Sequence, residues 1–585
     1  MKSKWEIQSR RLMGVIVAVA VLLFFLLYFK TNIPVEYPQE DTVSTLEEWT
    51  IEKSTANGRP LLEDKSIYMQ GSDNNIYDVY ISVFPTKDAE GKMLDFSAFG
   101  LHQSRDHTYN PELNCNIQIL NEGERLDPLT TLETKNATIR VRGNSSRGDT
   151  YKSYKIKLAE ESTPFFGQTV LNINKHSEDV TKIATKLETD LLAKTEHITS
   201  YHTYFMRLWI RDDSLPKEQQ EFRYYGLFTQ IEQPNKPYLE KRGLSSNASM
   251  YKARDFSFRM DEALKNIDDP SYDEVLFEEV LGIREATDHT KLLELVQAVN
   301  DTDRSFNEIF HTYFNEDNYL TWMAFNLLMG NNDIINHNFI LYNPTNSMTW
   351  YFLPWDFDGT LRFGEHESSL MKLPPSLRGV QKLNQSVLHR RYLRQDGNIE
   401  KIKNKMDELL ETVVTRDRVQ ELINSYKPVL EKTVTLEPDL GLLEMPPSQL
   451  PNYLDDLYDG ILSNREFFEI SLQYPTPMYV ATPQKQADGS CLFSWEPSYS
   501  YQGRPVTYNV RVYEDYLMTK PVLEQLDVVD TNYLHTAGLE PGVYYLKVTA
   551  VDNEGHEQLS MERFETMLTP TKGYNVNGLL EFTIE

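Results

Sequence analysis

The chain has 585 residues, 40% of them hydrophobic and 12% aromatic, a composition of folded domains in a length that calls for more than one. Its net charge is −28. That excess of acid argues against a nucleic-acid partner, since no basic stripe offsets phosphate repulsion, and it suits a soluble extracellular body.

Residues 12–29 are an uninterrupted apolar run of eighteen residues. As a helix the run spans ~27 Å, close to the thickness of a bilayer core. Lys2, Lys4, Arg10 and Arg11 precede it. No Lys or Arg occurs between Lys30 and Lys53, while Glu36, Glu40 and Asp41 do. The positive-inside rule then places the N-terminus in the cytoplasm, and no small-x-small cleavage site follows directly. The expectation is a single-pass plasma-membrane protein, with 1–30 as tail and anchor and the bulk outside the cell. Residues 31–75 are polar with scattered Pro, Gly and Ser, and read as a stalk or lead-in. The two cysteines, Cys115 and Cys491, alternate with apolar neighbours and read as core thiols on strands. They fall in different predicted domains, so no disulfide joins them.

Strand alternation begins at 76–83 and continues at 114–120 and 137–141. A turn at 143–149 leads to a return strand over 152–158. Gly143 and Gly148 let backbone approach a ligand, and Ser145 and Ser146 can donate to phosphate; an ordinary hairpin turn has the same composition. On the return strand Tyr154, Ile156 and Leu158 face the core, while Lys155 and Lys157 lie opposite and read as solvated. Lys152 shares the core parity, and an enclosed ammonium needs an anionic partner. Residues 183–192 read as a helix with Ile183, Leu187 and Leu191 on one stripe. It offers Glu188 and Asp190 as carboxylates, with no basis for choosing between them. Strands follow at 204–210 and 224–231, closed by Glu232. The chain then turns mostly helical, and the apolar segment 319–329 runs directly into Asn331.

Residues 339–342 and 348–353 read as the arms of a hairpin around the turn formers Asn343-Pro344-Thr345-Asn346-Ser347. Folding at that turn brings Asn338 and Asp356 to one sheet edge. Asp333 and Asn338 are five apart, as are the Asp and Asn of a protein-kinase catalytic loop. In that chemistry the Asp orients the attacking hydroxyl, and the Asn and a second Asp hold Mg²⁺ on ATP. Helical patterns return over 399–426 and 454–468. Pro475 and Pro477 mark a linker. Beyond them the pattern is all strand, and a Leu539-Glu540-Pro541-Gly542 turn before a Tyr-bearing strand resembles a fibronectin type III sandwich.

Five ordered stretches carry a wider resemblance. They are RGNSS at 142–146, KSYKIKL at 152–158, YGLFTQIEQ at 225–233, NNDIINHNFILY at 331–342 and WYFLPWDFDGT at 350–360. Together they resemble the CotH kinase family, the atypical kinases named after spore coat protein H. The resemblance implies an α+β, two-lobed kinase-like fold over 76–474, followed by the sandwich over 475–585. It implies Asp333 as the catalytic residue and Asn338, Asp356 and Asp358 as ligands of Mg²⁺ or Mn²⁺. It implies Arg142, Gly143, Ser145, Ser146, Lys152 and Glu232 as nucleotide contacts, with His337 and Trp355 as supports. The co-substrate is ATP and the acceptor a surface or secreted protein. Two features depart from a protein kinase: no His-Arg precedes Asp333, and Asp358 stands where a kinase has Gly.

Two rival functions remain open on the residues alone. A metal-dependent hydrolase would use Asp333, His337, Asp356 and Asp358 with Glu365 and His366, although no zinc-ligand spacing occurs. A non-catalytic surface scaffold would keep the fold and lose the chemistry.

Overall fold

The computed structural model describes residues 59–69, 75–124, 126, 134–331, 333–363, 378–569 and 572–585. Seven strands close into a barrel: β1 (Ile76–Val83), β2 (Leu113–Asn121), β3 (Ala137–Arg142), β4 (Ser153–Leu158), β5 (Val170–Asn174), β6 (Thr203–Asp212) and β7 (Arg223–Glu232). The order is β1-β2-β3-β4-β5-β7-β6, closed by a parallel β6–β1 pairing. Alternation explains the barrel interior. Ala137, Ile139 and Val141 meet Tyr154, Ile156 and Leu158 inside, with Ile139 opposite Ile156. The same register places Arg140 opposite Lys155 on the outer face.

Between β5 and β6 lies helix α1 (Ala184–Leu192), buried on nearly every side. A second sheet follows: β8 (Ala248–Ala253), β9 (Leu281–Glu285), β10 (Phe339–Pro344) and β11 (Tyr351–Pro354), in the order β9-β8-β10-β11. Between β9 and β10 the buried helix α2 (Glu316–Met329) packs beneath it. Asn318 pins α2 to the hairpin: its amide N–H donates to the Phe352 carbonyl at 3.1 Å and its oxygen accepts from the Phe352 N–H at 2.7 Å. Helices such as Asn398–Thr412, Arg416–Thr433 and Leu457–Ser471 complete this body. The C-terminal strands form two sheets, with Cys491–Ser494 in one and Val506–Tyr513 and Gly542–Asp552 in the other, over a shared core of Phe493, Trp495, Val510 and Val548.

Three expectations change. The two-lobed kinase arrangement is met only as a mixed α/β chain, because the first seven major strands curl into a closed barrel. The lead-in is no free stalk where it is described. Leu61 and Tyr68 are buried, and the Lys65 ammonium donates to the Ile198 carbonyl at 2.6 Å. The localisation is corrected as well. Among the described residues no helix is long and apolar enough to cross a membrane. This leaves the plasma-membrane, single-pass arrangement unsupported; the apolar run 12–29 lies outside the described residues. The cysteines behave as expected: both are free and buried, and burial pushes both thiols up.

Candidate active site

The site is assembled from the end of α2 outward. α2 stops at Gly330, whose φ of 72° and tight approach to the Asn464 amide leave no room for a side chain. Asn331 then ties the exit back to the helix: its N–H donates to the Asn326 carbonyl at 2.9 Å and its amide to the Asn326 side chain at 2.8 Å. The Asn331 oxygen in turn accepts from the Asp333 N–H at 3.1 Å. Asp333 is therefore presented by a locked loop, with its carboxylate half exposed and 3.6 Å from the His337 ring. His337 holds it below the usual carboxylate range, with Lys382 assisting, so Asp333 is ionised at neutral pH.

The hairpin forms with Phe339 paired to Pro354. The residues flanking it, Asn338 and Asp356, both sit at φ 62°, a left-handed backbone that non-glycine residues adopt at some cost. The fold keeps two strained residues at one sheet edge, where strain is a common mark of a site. Asp356 and Asp358 interact with each other. Burial, then the charge of Asp358, pushes Asp356 up. Partial removal from water also acts on Asp358, but His176 outweighs it and Asp358 is held down. The His176 ring is buried, finds no hydrogen-bond partner, and lies 3.7 Å from Asp358.

Facing this acid pair is a set of cations from both sheets. Arg140 and Arg142 come from β3, Lys155 from β4, Lys252 from β8 with Arg254 just beyond it, and Arg284 from β9. Burial lowers Arg142 to about 10, offset by Asp356 and Asp358 and reinforced by Arg284. Burial lowers Lys252 to about 8, with Asp356 attracting and Arg284, Arg142 and Arg254 repelling. Lys155 also falls to about 8, from burial and the charges of Arg140, Arg284 and Arg142. These groups destabilise one another's charges, and a polyanion among them would relieve that. Trp355 is buried with the Lys252 ammonium 5.3 Å from its ring centre, so it fixes that cation as well as supporting the hairpin.

The remaining expected residues lie elsewhere. Lys152 shares the core parity, but its ammonium donates to the Arg147 carbonyl at 2.7 Å and props the turn from below. Gly143 has φ 110°, and the Ser146 hydroxyl occupies the space a Cβ would need, so Ser145 and Ser146 begin a self-packed 3-10 turn at the end of β3. Glu232 points away from the acid pair. Its carboxylate accepts from Arg242 at 2.6 Å and from the His202 N–H at 3.1 Å. Of the two α1 carboxylates, Asp190 is taken by Lys186 at 2.6 Å and by the Tyr426 hydroxyl at 2.5 Å. Glu188 faces the loop after β11, where the Thr360 hydroxyl contacts it. Sequence reasoning missed Arg140, Lys155, Lys252, Arg254, Arg284 and His176. The available signal was basic residues two apart on single strand faces: Arg140 with Arg142, and Lys252 with Arg254.

Among the described residues no group of three or more His, Cys, Asp and Glu is arranged to hold a metal. The all-protein cage of the hydrolase alternative is thus not found there, and Glu365 and His366 lie outside the described residues. Mg²⁺ is commonly held differently, by one or two carboxylates plus substrate phosphates. Two facing carboxylates and an amide at one edge, opposite a cationic cradle, fit that donor set.

Comparison with known proteins agrees with the residue reading. Inner spore coat protein H of Bacillus subtilis (strain 168) is 21% identical over 323 residues, covering 54% of this chain and 83% of that protein. Among solved structures, the Helicobacter pylori proinflammatory kinase CtkA covers 54% of this chain and 94% of its own, at 10% identity and a TM-score of 0.23. An Fn3-like protein from Clostridium thermocellum covers 15% of this chain and 81% of its own, at 23% identity and a TM-score of 0.12. The family described as CotH kinase protein matches residues 139–441, just over half of the sequence and the whole of the site above, and the chain belongs to that family.

Proposed function

We propose that this protein transfers the γ-phosphoryl group of ATP to a hydroxyl of a protein acceptor. The observation that carries the reading is the opposition of Asp356 and Asp358 to the cations around Arg142 and Lys252. Phosphoryl transfer is catalysed mainly by positioning and charge neutralisation, and this arrangement supplies groups for both. Arg142, Lys252, Lys155 and Arg284 hold the triphosphate. Asn338, Asp356 and Asp358 would hold Mg²⁺ or Mn²⁺, which when bound neutralises charge on the phosphate oxygens. Asp333 orients the acceptor hydroxyl and takes its proton, and His337 fixes the carboxylate for that task. The turn containing Gly143, Ser145 and Ser146 closes over the phosphates, with Lys152 acting through the turn it supports.

The cradle makes a graded prediction. Lys252→Met and Arg142→Met should each weaken ATP binding by roughly 10–100-fold, the worth of one charge-assisted hydrogen bond. Lys157→Met, on the same strand as Lys155 but exposed, should change it little. Calorimetric titration with ATP reads all three, and equal effects would remove the cradle from the account.

The C-terminal sandwich is proposed as a fibronectin type III-like spacer or binding domain over 475–585. The Tyr544 hydroxyl donates to the Glu540 carbonyl at 3.0 Å, the corner expected of such a strand. It is docked by Arg390 to Glu496 at 2.9 Å and by Tyr501 to Asn384 at 3.2 Å. A chain ending at Tyr474 should keep ATP binding and melt at a lower temperature than the full chain. Loss of all folding on that truncation would show that 475–585 is no separate domain.

A further inference from the structure

Glu188 is fully buried at the middle of α1, one oxygen against the Thr360 hydroxyl and the other with no partner. No salt bridge to it occurs among the described residues, and Lys152, the cation a kinase would bring, is engaged elsewhere. The Thr360 hydroxyl lies 2.7 Å from the Phe357 carbonyl as well as against Glu188. A hydroxyl has one proton. A carbonyl can only accept, so when that proton goes to Phe357 the Glu188 contact needs a proton of its own. The other assignment leaves a carboxylate in the interior with no cation and one oxygen unbonded, which is the costlier state.

We propose that Glu188 is a neutral carboxylic acid that latches the Asp356–Thr360 loop to α1, and is thereby a positioning residue for both loop carboxylates. The proton chain runs from the Glu188 carboxyl to the Thr360 hydroxyl to the Phe357 carbonyl. Thr360 also returns its backbone N–H to Phe357 at 3.3 Å, closing a turn that contains Asp358 and begins beside Asp356. The position of α1 then sets the position of that turn. Burial raises Glu188 well above the ordinary range for Glu, and the neighbouring Asp179, in the loop before α1, acts in the same direction, while Thr360 opposes. In a protein kinase the helix carboxylate is charged and pairs a lysine; here the same place on the helix works without charge.

The role in catalysis rests on the phosphotransfer reading, while the protonation state does not, so the experiment has two arms. In the first, thermal unfolding of the full chain is followed from about pH 5 to about pH 8 for wild type and Glu188→Gln. Glu188 ionises more readily in the unfolded chain, so wild type loses stability as pH rises above the ordinary Glu range. The glutamine amide still donates to Thr360 and does not titrate. Glu188→Gln should therefore match or exceed wild type, with a margin that grows with pH. A glutamine variant that melts below wild type at every pH overturns the proposal. In the second arm, ATP binding in the presence of Mn²⁺ is measured for Glu188→Gln, Glu188→Ala and Thr360→Val. The glutamine should stay within about threefold of wild type. The other two should lose roughly 10²-fold, the scale of an ångström-level misplacement. A stable glutamine variant that loses binding as fully as Glu188→Ala shows a charged role and also overturns it. Absence of ATP binding by wild type would defeat the phosphotransfer reading while the first arm still decides the protonation state.

Discussion

Asp356→Ala is expected to abolish cation-dependent ATP binding and phosphoryl transfer together, whereas Asp333→Ala is expected to keep ATP binding and lose transfer. The two carboxylates are held differently. Asp356 sits at the strained end of the hairpin beside Asp358, inside the field of Arg142 and Lys252. Removing it leaves the metal and the triphosphate without their main acidic anchor. Asp333 is presented from the exit of α2, half exposed and paired with His337, where an acceptor can reach it. A positioned base contributes roughly 10²–10⁴-fold in rate, and that is the loss expected for Asp333→Ala. Calorimetry with ATP and Mn²⁺ together with a transfer assay separates the two. Identical behaviour of the variants would contradict the division of roles.

Glu232→Ala is expected to destabilise the fold by about 3–5 kcal/mol, the usual result of removing one partner from a buried ion pair. Arg242 is fully buried. It donates to Glu232, to the Ser200 carbonyl at 2.8 Å and to the Tyr68 hydroxyl at 2.9 Å, lies 3.1 Å from Glu63, and stacks 3.7 Å from the Tyr238 ring centre. Glu63 and Tyr68 belong to the lead-in, so this cluster fastens residues 59–69 to the end of β7. Despite its burial, Glu232 is pulled down to about 2, with Arg242 the largest opposing influence and His202 next. The folded-state value is depressed, so the stabilisation is present above the ordinary Glu range and is lost as pH falls through about 2. Denaturant unfolding of wild type should show this acid loss, and Glu232→Ala should lack it. A variant that unfolds like wild type but fails to bind ATP would return Glu232 to the nucleotide site.

What the sequence could reveal follows the range of the interactions involved. The hairpin depends on local turn chemistry, and Asn343-Pro344 together with alternating arms sufficed to place it and to bring Asn338 to Asp356. Helix α1 depends on a local apolar stripe and begins one residue from where the periodicity puts it. The parity on β3 and β4 was also legible: Tyr154 and Ile156 do face inward and Lys155 outward. The error lay in equating outward with solvated. The outer face of β3 and β4 meets cations from β8 and β9, roughly a hundred residues later, and no local pattern reports that. Lys152 followed the inward parity to a backbone carbonyl and away from the acid pair. Glu232 was correctly placed at a strand end, but its partner Arg242 is reached only by a turn that the sequence did not specify. Choosing Glu188 over Asp190 likewise needed Lys186, Tyr426 and Thr360 in three dimensions.

The most direct test of the central claim is a calorimetric titration of the wild-type chain with ATP, with and without Mn²⁺. The account predicts saturable binding in the presence of the cation, much weaker binding in its absence, and weakening with added salt as the cradle cations are screened. Absence of cation-dependent binding by the folded protein would contradict it.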